Sequence, residues 1–523
     1  MKKLPISKSV FKEIRTEDCC YVDKTPFVQQ LLNDHSKYWF LSRPRRFGKT
    51  LFLDTLRAAF AGEKELFKDL YLENNWDWET KYPVINISFG RGMATSIKTL
   101  NNAIHYTLGN NAQKFDIELA ANSIPERFEE LLQKTSNKFG LGVVVLVDEY
   151  DKPLLDNLTK NVAEDIRTEL SSFYSVLKAA DQYIKFVFLT GVLKFSKTSI
   201  FSNLNNLTDI SLKPEYADIC GYTQDDLESV FVDYLQDVDL KKIKEWYDGY
   251  NFLGTNMYNP YDILLFLSDQ RYQCYWFETG TPSFLLELIK KKKYFIPDLQ
   301  NIILSDSQMG EFDINHIELD VLLYQTGYLT IKSVKELANR TYYSLGMPNK
   351  EVSIGLNDYL LRMFFLSGAN ATDTSRLSQN IYNALFANQP ELLEKALFSF
   401  FAEIPYAWYV KNNIAEYEGY YCSLFYALFA ALGLTIIPED FTNKGRIDFT
   451  VIMEKGIFIF EIKMKSNTKN GIEQIKEKKY HEKYIAEDKE IFLIGIEFDE
   501  QEKNLSKFET EKWNFQIASK DKG

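Results

Sequence analysis

The first half of the chain contains short apolar runs separated by longer amphipathic stretches. The runs are Tyr38–Leu41, Val84–Phe89, Val143–Val147 and Phe186–Leu189. A continuous apolar run of this length is typical of a strand buried on both faces, as in a parallel sheet. Strands that alternate with helical crossovers predict a doubly wound α/β fold, in which ligands bind at the carboxyl ends of the strands.

The pattern changes in the second half of the chain. Thr223 is placed to cap a helix, and from there to about residue 285 the pattern is helical with aromatic anchors, which predicts a lid. Residues 286–384 mix helices with short strands. Two further strands are predicted within 449–460, joined by a turn at Glu454-Lys455-Gly456. We therefore expect domains at 1–218, 219–285, 286–384 and 385–523.

The first segment with recognisable chemistry is KYWFLSRPRRFGKT, which ends at Thr50. A strand, a loop and a helix that opens with Gly-Lys-Thr form the arrangement that binds phosphate groups through backbone N–H groups and the helix N-terminus. Lys49 would reach the β- and γ-phosphates of ATP, and the Thr50 hydroxyl would bind Mg²⁺. The predicted ATP-binding residues of this loop are Arg46, Phe47, Gly48, Lys49, Thr50 and Leu51.

This loop departs from the general phosphate-binding pattern GxxxxGK[ST]. Arg43 stands where the first glycine of that pattern belongs. Taken alone, the segment is therefore also compatible with a basic loop that contains Gly-Lys-Thr by chance. If the loop binds phosphate, the side chain of Lys49 is expected to be exposed in the empty loop, so that its removal has little effect on stability.

Two later strands supply the groups that such a loop requires. The run VVVLV ends in Asp148 and Glu149, and the run FVFL ends in Thr190. Asp148 would hold Mg²⁺, and Glu149 would polarise the water that attacks the γ-phosphate. Thr190 is a candidate sensor of the γ-phosphate. These residues favour ATP binding and hydrolysis over a chance match.

A second candidate site lies in GRIDFTVIMEKGIFIFEIK, residues 445–463. If 449–460 folds as a hairpin, Asp448 and Glu461 meet near one end of it. Lys463 then projects from the same face as Glu461, because residues two apart on a strand share a face. Two carboxylates can bind Mg²⁺, and a nearby cation can act on the attacking water or the scissile phosphate. Glu418, on a preceding helix, is a further candidate metal ligand.

These segments resemble known families. The stretch from Asp448 to Lys463, with Tyr417-Glu418-Gly419 before it and QIKEKKY after it, resembles the PD-(D/E)xK nuclease core. KLPISKSVFKEI, SRPRRFGKTLFLDTL, VDEYDKP, TGVLKFSK, KEWYDGYNF and YNPYDILLFL resemble a bacterial family of AAA-ATPase-like proteins. In that family RPRRFGKT is the usual form of the loop. The resemblance implies an ATP-binding P-loop domain and a restriction-endonuclease-like α/β domain at 385–523. Gln474 and Tyr480, six residues apart on the helix predicted to follow, are secondary candidates for supporting contacts.

Charge limits the expected partners. The net charge of −12 does not suggest a protein that coats DNA, although local basic patches matter more than the total. Seven lysines between 463 and 483 surround the second site; they form either a phosphate-binding surface or a solvated helix face. Nucleic acid, with DNA as the first candidate, is the expected partner. A homo-oligomer stays open. Arg45 and Arg46 are compatible with a role toward a neighbouring subunit, with a contact to the bound nucleotide, or equally with a structural role at the surface.

Cysteine and histidine usage excludes several classes of site. The five cysteines form no CxxC pair and are expected to be free thiols in a reducing cytoplasm. The four histidines are far apart, which argues against a zinc site. No apolar run approaches the length of a membrane span or a signal peptide core, so a cytoplasmic protein without a membrane partner is expected.

Two functions are compatible with these observations. The first is an ATPase coupled to a nuclease that uses ATP and Mg²⁺. The second is a non-cleaving NTPase switch, in which the nuclease-like domain only binds nucleic acid or a partner. The complete set of Asp448, Glu461 and Lys463 favours the first, and the acidic net charge favours the second.

Overall fold

The computed structural model divides the chain into two compact units. The first comprises residues 1–289 and 301–351, and the second comprises 290–300 and 352–523. The structure describes residues 1–90, 92, 94–158, 160–195, 200, 204, 206–280, 285, 288–289, 296–300, 302–310, 318–365, 371–402, 418–465, 470–499 and 501–513.

The first unit is organised around a parallel sheet. Its strands are β1 (Tyr38–Ser42), β2 (Val84–Ser88), β3 (Val143–Asp148), β4 (Ile184–Gly191) and β5 (Thr208–Asp209), in the order β2-β3-β4-β1-β5. Every adjacent pair is parallel. β3 is buried along its whole length, as expected for a central strand in a sheet covered on both faces. The predicted parallel α/β fold is confirmed.

Two helices precede β1, and the other helices of this part lie between its strands. In chain order they are Phe11–Thr16, Pro26–Asn33, Lys49–Phe60, Ile97–Lys114, Ile124–Phe139, Lys152–Leu155 and Ala163–Ala179. The helix Lys49–Phe60 packs on β3 and β4, and the three long helices that follow it pack on one another. The parallel register pairs Ser88 with Asp148 and Leu41 with Thr190, so the polar ends of the strands meet at one edge.

The region predicted as a lid is helical. Its helices are Gln224–Val230, Leu240–Tyr247, Pro260–Asp269 and Tyr275–Gly280, and Thr223 caps the first with its side chain. They share a hydrophobic core with the beginning of the chain, where Cys20 and Val22 are buried beside Leu227, Phe231 and Tyr247. The N-terminal segment is therefore packed into this helical region.

The remainder of the first unit contains a small antiparallel sheet. Its strands are β6 (Ile302–Ser305), β7 (Thr330–Leu337) and β8 (Arg340–Gly346), with the helices Asp306–Gly310 and Leu319–Thr326. The helix Leu319–Thr326 ends at Gly327, whose φ of 95° is left-handed. A side chain there would meet Pro44 at 2.7 Å, so Gly327 allows this module to approach the phosphate-binding loop.

The second unit contains a mixed sheet with helices. Its strands are β9 (Thr435–Thr442), β10 (Gly445–Ile452), β11 (Gly456–Met464), β12 (Glu490–Asp499) and β13 (Asn504–Trp513), in the order β13-β12-β11-β10-β9. β10 and β11 form the predicted hairpin, with Phe449 opposite Phe460, and β11 pairs with β12 in parallel. The helices are Lys350–Phe365, Ala371–Phe386, Pro390–Ala402, Glu418–Ala431 and Gly471–Glu477, the first of which begins in the first unit.

None of the helices among the described residues combines the length and the apolar character that crossing a bilayer requires.

Candidate functional site

The Gly-Lys-Thr segment lies at the carboxyl end of β1 and opens the helix Lys49–Phe60, as predicted. The loop turns sharply twice, at Arg46 (φ 64°) and at Gly48 (φ 93°). Gly48 is the N-cap of the helix, and its left-handed conformation favours glycine. The turns aim the first amides of the helix into the space above the sheet edge, where an anion would be stabilised.

Arg43 explains how the loop dispenses with its first glycine. The side chain is 1% exposed, and its guanidinium donates to the carbonyls of Ser211 (2.7 Å), Tyr216 (3.1 Å) and Ala217 (3.1 Å). It also lies 3.9 Å from the ring centre of Phe252. Burial lowers the pKa of Arg43 to about 10. Arg43 is therefore an anchor for the base of the loop and not a phosphate ligand.

The ring of Phe47 fixes the other side of the loop. It is fully buried and packs edge-on against Tyr250 and Phe252 at 5.0 and 5.5 Å. Gly221 approaches so closely that a side chain there would meet Phe47 at 2.7 Å. The motif KEWYDGYNF thus supplies the surface on which the loop rests, which its sequence alone did not indicate.

The expectation that Lys49 is exposed is wrong. Its side chain is 7% exposed, and the ammonium donates to the carbonyls of Arg43 and Pro44, both at 2.8 Å. Burial lowers the pKa of Lys49, while the charge of Asp148 opposes this shift. The physical reason is that carbonyls of the loop itself fold over the ammonium and accept its hydrogen bonds.

The predicted magnesium and sensor residues come together. Thr50 Oγ1 donates to Asp148 Oδ2 and Thr190 Oγ1 donates to Asp148 Oδ1, each at 2.7 Å. Asp148 is 5% exposed and Thr190 is fully buried. The hydroxyl and the carboxylate are hard oxygen donors on adjacent elements, which suits Mg²⁺. Three residues from three distant segments therefore converge at one point.

Glu149 adopts a left-handed conformation, with φ of 52°, directly after β3. A β-carbon on Gly90 would lie 3.0 Å from its carboxylate, so the carboxylate lies against Gly90. Non-glycine residues in this conformation are uncommon and are often found at functional sites. The turn brings the Glu149 carboxylate to the same cavity as the phosphate-binding loop.

That cavity has a volume of about 410 Å³, within the range of small-molecule sites. One wall is formed by the predicted ATP-binding residues Arg46, Phe47, Gly48, Lys49, Thr50 and Leu51. Pro5 near the N-terminus and Tyr222, Tyr261 and Leu264 of the helical region also line the cavity. The guanidinium of Arg46 lies 4.9 Å from the ring centre of Tyr261. The cavity lining thus combines polar and charged groups with the aromatic side chains Tyr222 and Tyr261.

The second site lies on the hairpin of the second unit. Asp448 Oδ2 accepts the backbone N–H of Ile462 at 2.7 Å, next to Glu461. Glu461 is 1% exposed, and Lys463 Nζ lies 3.0 Å from Glu461 Oε1. Gln474 Nε2 also donates to Glu461 Oε1. The strand positions thus place Asp448, Glu461 and Lys463 together, with Gln474 orienting the glutamate.

Tyr480 closes one side of this site. Its hydroxyl donates to the carbonyl of Arg446 at 2.9 Å, and burial followed by the charge of Glu461 raises its pKa. A side chain on Gly445 would meet the Tyr480 hydroxyl at 2.8 Å. Glu418 begins the helix Glu418–Ala431, but its side chain lies outside the described residues. Two carboxylates with an adjacent ammonium suit a divalent cation that keeps waters and substrate oxygens as its remaining ligands.

Most lysines around this site have acidic partners. The pairs are Lys465–Asp499, Lys476–Glu511, Lys479–Glu482 and Lys483–Asp440. Lys469 lies outside the described residues. Among the described lysines, the charge of these four is therefore largely neutralised by carboxylates of the same unit.

Known proteins match both parts of the chain. The profile of a predicted AAA-ATPase family matches residues 5–201, and a profile of the PD-(D/E)XK nuclease superfamily matches residues 416–508. A relative from Azotobacter chroococcum mcd 1, an "Uncharacterized protein in vnfD 5'region", is 43% identical over 514 residues. The match covers 98% of this chain and 99% of the relative.

Proposed function

We propose that this chain, which belongs to the predicted AAA-ATPase-like family and ends in a PD-(D/E)XK nuclease-superfamily domain, is an ATPase coupled to a metal-dependent nuclease. It would act in the cytoplasm on nucleic acid, with DNA as the first candidate substrate. The observation that carries the ATPase part is the convergence of Thr50 and Thr190 on Asp148 beside the phosphate-binding loop. The contact joins the start of a helix with the ends of two strands. A loop that contained Gly-Lys-Thr by chance would have no reason to lie beside such a contact.

Each residue of the first site would have a separate role in ATP binding and hydrolysis. Phosphate oxygens compete with the carbonyls of Arg43 and Pro44 for the Lys49 ammonium, because an anionic acceptor binds it more strongly than a neutral one. Thr50 and Asp148 would hold Mg²⁺, which neutralises charge on the phosphates when bound. Glu149 would orient a water and accept its proton, and Thr190 would report the γ-phosphate.

The residues of the second site support phosphodiester cleavage. Asp448 and Glu461 would hold the divalent cation, with Glu418 as an additional ligand, and the cation would activate the attacking water. Lys463 is ion-paired to Glu461 at 3.0 Å and would stabilise the negative charge that develops on the phosphate. Gln474 fixes the orientation of Glu461, as outer-shell partners of metal ligands commonly do.

One observation favours the alternative, a non-cleaving switch that binds nucleic acid or a partner protein. The neutralised lysines around the second site reduce the electrostatic attraction that nucleic acid backbones require. We retain cleavage as the proposal because burying the charge of Glu461 costs desolvation free energy, even with Lys463 and Gln474 as partners. A surface that only binds nucleic acid does not need a buried carboxylate.

A nicking assay on supercoiled plasmid separates the two functions. The full-length chain is incubated with Mg²⁺ or Mn²⁺, with and without ATP, and compared with Glu461→Gln. Metal-dependent nicking by the wild type that Glu461→Gln lacks supports the nuclease. Equal background nicking by both proteins, together with retained ATP binding, supports the switch. Single-stranded DNA and RNA substrates in the same assay identify the substrate class.

A further inference from the structure

The two residues that follow Glu149 contact the segment that follows Thr190. Asp151 is 1% exposed, and its Oδ2 accepts the backbone N–H groups of Val192 at 2.9 Å and Leu193 at 2.6 Å. The Tyr150 hydroxyl donates to the carbonyl of Leu193 at 2.8 Å. The backbone N–H of Tyr150 donates to the carbonyl of Thr190 at 3.0 Å. Tyr150 and Asp151 therefore hold 190–193 along its whole length.

The packing at this contact is tight. A β-carbon on Gly191 would lie 2.4 Å from the Tyr150 ring and 2.6 Å from Asp151 Oδ1. No side chain fits there without moving a buried aromatic ring. The turn after β3 and the segment after β4 are thus fitted against each other, and Asp151 supplies the only formal charge among the contacts just described.

This contact adjoins the nucleotide cavity. Asp151 and Val192 both line it, and Thr190 immediately precedes the segment while donating to Asp148. Burial raises the pKa of Asp151 to about 6, so its carboxyl group is mostly ionised at neutral pH. Hydrogen bonds to an ionised acceptor are roughly twice as strong as those between neutral groups. The two amides on Asp151 therefore form a charge-assisted link between the turn that carries Glu149 and the strand that carries Thr190.

We propose that Asp151 is a positioning residue for the nucleotide site: its carboxylate holds the Val192 and Leu193 amides so that Thr190 and Glu149 keep their places around the γ-phosphate. This inference rests on the proposed ATPase function. Asp151 would act through the backbone and not through contact with the reacting atoms. Its loss would lower turnover, because displacement of catalytic groups by about 1 Å can reduce a rate about 100-fold. Phosphate affinity, which depends on Lys49 and the loop amides, would change little.

The test compares Asp151→Ala and Asp151→Asn with the wild type and with Asp156→Asn. Asp156 is the matched control. It is a nearby aspartate whose carboxylate pairs with Lys152 at 2.6 Å, at the end of the short helix Lys152–Leu155. ATP affinity, steady-state kcat and KM, and hydrogen exchange of a peptide covering 190–195 are measured on the full-length chain. The exchange is measured with and without a non-hydrolysable ATP analogue.

We expect Asp151→Ala to lower kcat about 30-fold or more while KM changes less than about 3-fold. Asp151→Asn, which keeps a neutral acceptor, should fall between Ala and the wild type. Exchange at 192–193 should accelerate in the same order, and the protection that the analogue gives the wild type should disappear in Asp151→Ala. Asp156→Asn should match the wild type throughout.

Several results would overturn the inference. One is an unchanged kcat and unchanged exchange in Asp151→Ala. Another is a loss confined to ATP affinity and thermal stability, which would indicate a structural role only. If the wild type binds ATP but does not hydrolyse it, the hydrogen exchange of residues 190–195 in Asp151→Ala and the wild type is the measurement that decides the inference. If the wild type does not bind ATP, the proposed function fails, and that result is read from the wild type before any variant.

Discussion

At the scale of single residues, Lys49 shows how a loop can prepare a cation for a ligand. Its ammonium is buried and already has two carbonyl acceptors. The side chain is therefore already ordered and has little conformational freedom left to lose when a phosphate binds. Preorganisation of this kind reduces the entropy lost on binding. It also means that removing the side chain leaves buried carbonyls with fewer donors, which affects stability as well as binding.

We therefore predict two effects of Lys49→Ala. ATP affinity should fall about 100-fold or more, because a charge-assisted contact to the phosphates is lost. The free energy of unfolding should fall by about 1–2 kcal/mol, because the Arg43 and Pro44 carbonyls lose a donor. Calorimetric titration with ATP and thermal unfolding measure the two effects. Lys64→Ala, at an exposed lysine of the same unit, is the control. Retained ATP affinity in Lys49→Ala would contradict the assignment of the loop.

Glu149 supports a prediction about turnover. Glu149→Gln keeps the size of the side chain and removes the base, so ATP should still bind while hydrolysis slows about 100-fold or more. Phosphate release and ATP titration measure these quantities, with Glu129→Gln at an exposed helix position as the control. If Glu149→Gln hydrolyses ATP at the wild-type rate, then either another residue is the base or the hydrolysis measured for the wild type is not catalysed by this protein.

The second site separates metal binding from catalysis. Asp448→Asn and Glu461→Gln should weaken Mn²⁺ binding and abolish metal-dependent cleavage, because each removes a charged ligand. Lys463→Ala should keep the metal and lose cleavage, because an ammonium contributes charge but no ligand atom. Mn²⁺ titration and plasmid nicking measure both, with Asp488→Asn at an exposed position as the control. Mn²⁺ binding that survives in both carboxylate variants would rule out the site.

At the scale of elements, the phosphate-binding loop depends on segments far away in the sequence. Arg43 joins the loop to the chain at Ser211, Tyr216 and Ala217, and Phe252 covers its guanidinium. Phe47 packs against Tyr250 and the same Phe252. A glycine at position 43 would allow the usual loop but could not make these contacts. In this chain a buried anchor therefore stands where the general pattern has the conformational freedom of a glycine.

This arrangement predicts that Arg43→Lys does not substitute for arginine. A lysine has no planar fork and cannot reach three carbonyls, so the free energy of unfolding should fall by about 2–4 kcal/mol. ATP affinity should fall in parallel, because the base of the loop loses its support. Chemical denaturation and ATP titration measure both effects. Arg340→Lys, at an exposed strand position, should change neither. Full stability in Arg43→Lys would show that packing on Phe252 alone holds the loop.

At the scale of the whole molecule, a buried pair of acids links the lid to the end of the first unit. Asp262 and Glu351 are both fully buried, and Glu351 Oε1 accepts the N–H of Trp276 at 2.7 Å. Burial raises the pKa of Glu351 to about 7, and burial together with the Glu351 charge raises that of Asp262. Trp276 Nε1 in turn donates to the carbonyl of Arg45 in the phosphate-binding loop at 3.1 Å.

The direction of these shifts sets the pH dependence of stability. A carboxyl whose pKa is raised by folding favours the folded state at low pH, and this contribution is lost as the pH rises towards 7. The first unit of the wild type should therefore unfold at a lower temperature at pH 8 than at pH 5.5. Glu351→Gln should reduce the difference by roughly 2 °C or more, because its amide oxygen can still accept from Trp276 and cannot ionise.

Calorimetry at the two pH values measures this effect, with Glu336→Gln at an exposed strand position as the control. An equal pH dependence in Glu351→Gln and the wild type would show that other groups titrate in this range.

The sequence by itself determined what local patterns encode. Apolar runs with helical crossovers specified the parallel sheet, because a strand buried on both faces must be apolar throughout. Gly48 with Lys49 and Thr50 specified a helix start, and the spacing from Asp448 to Glu461 specified a hairpin that brings two carboxylates together. The structure agrees with each of these elements.

Only the tertiary structure decided which side chains serve the sites and which support them. Arg43 is bound by carbonyls 168 to 174 residues away, and Asp151 is bound by amides 41 and 42 residues away. No periodicity or spacing in one sequence encodes such partners. The burial of Lys49 and the pairing of the lysines near Glu461 were unpredictable for the same reason. A charge is either exposed or neutralised according to what the fold places beside it, and that depends on the whole chain.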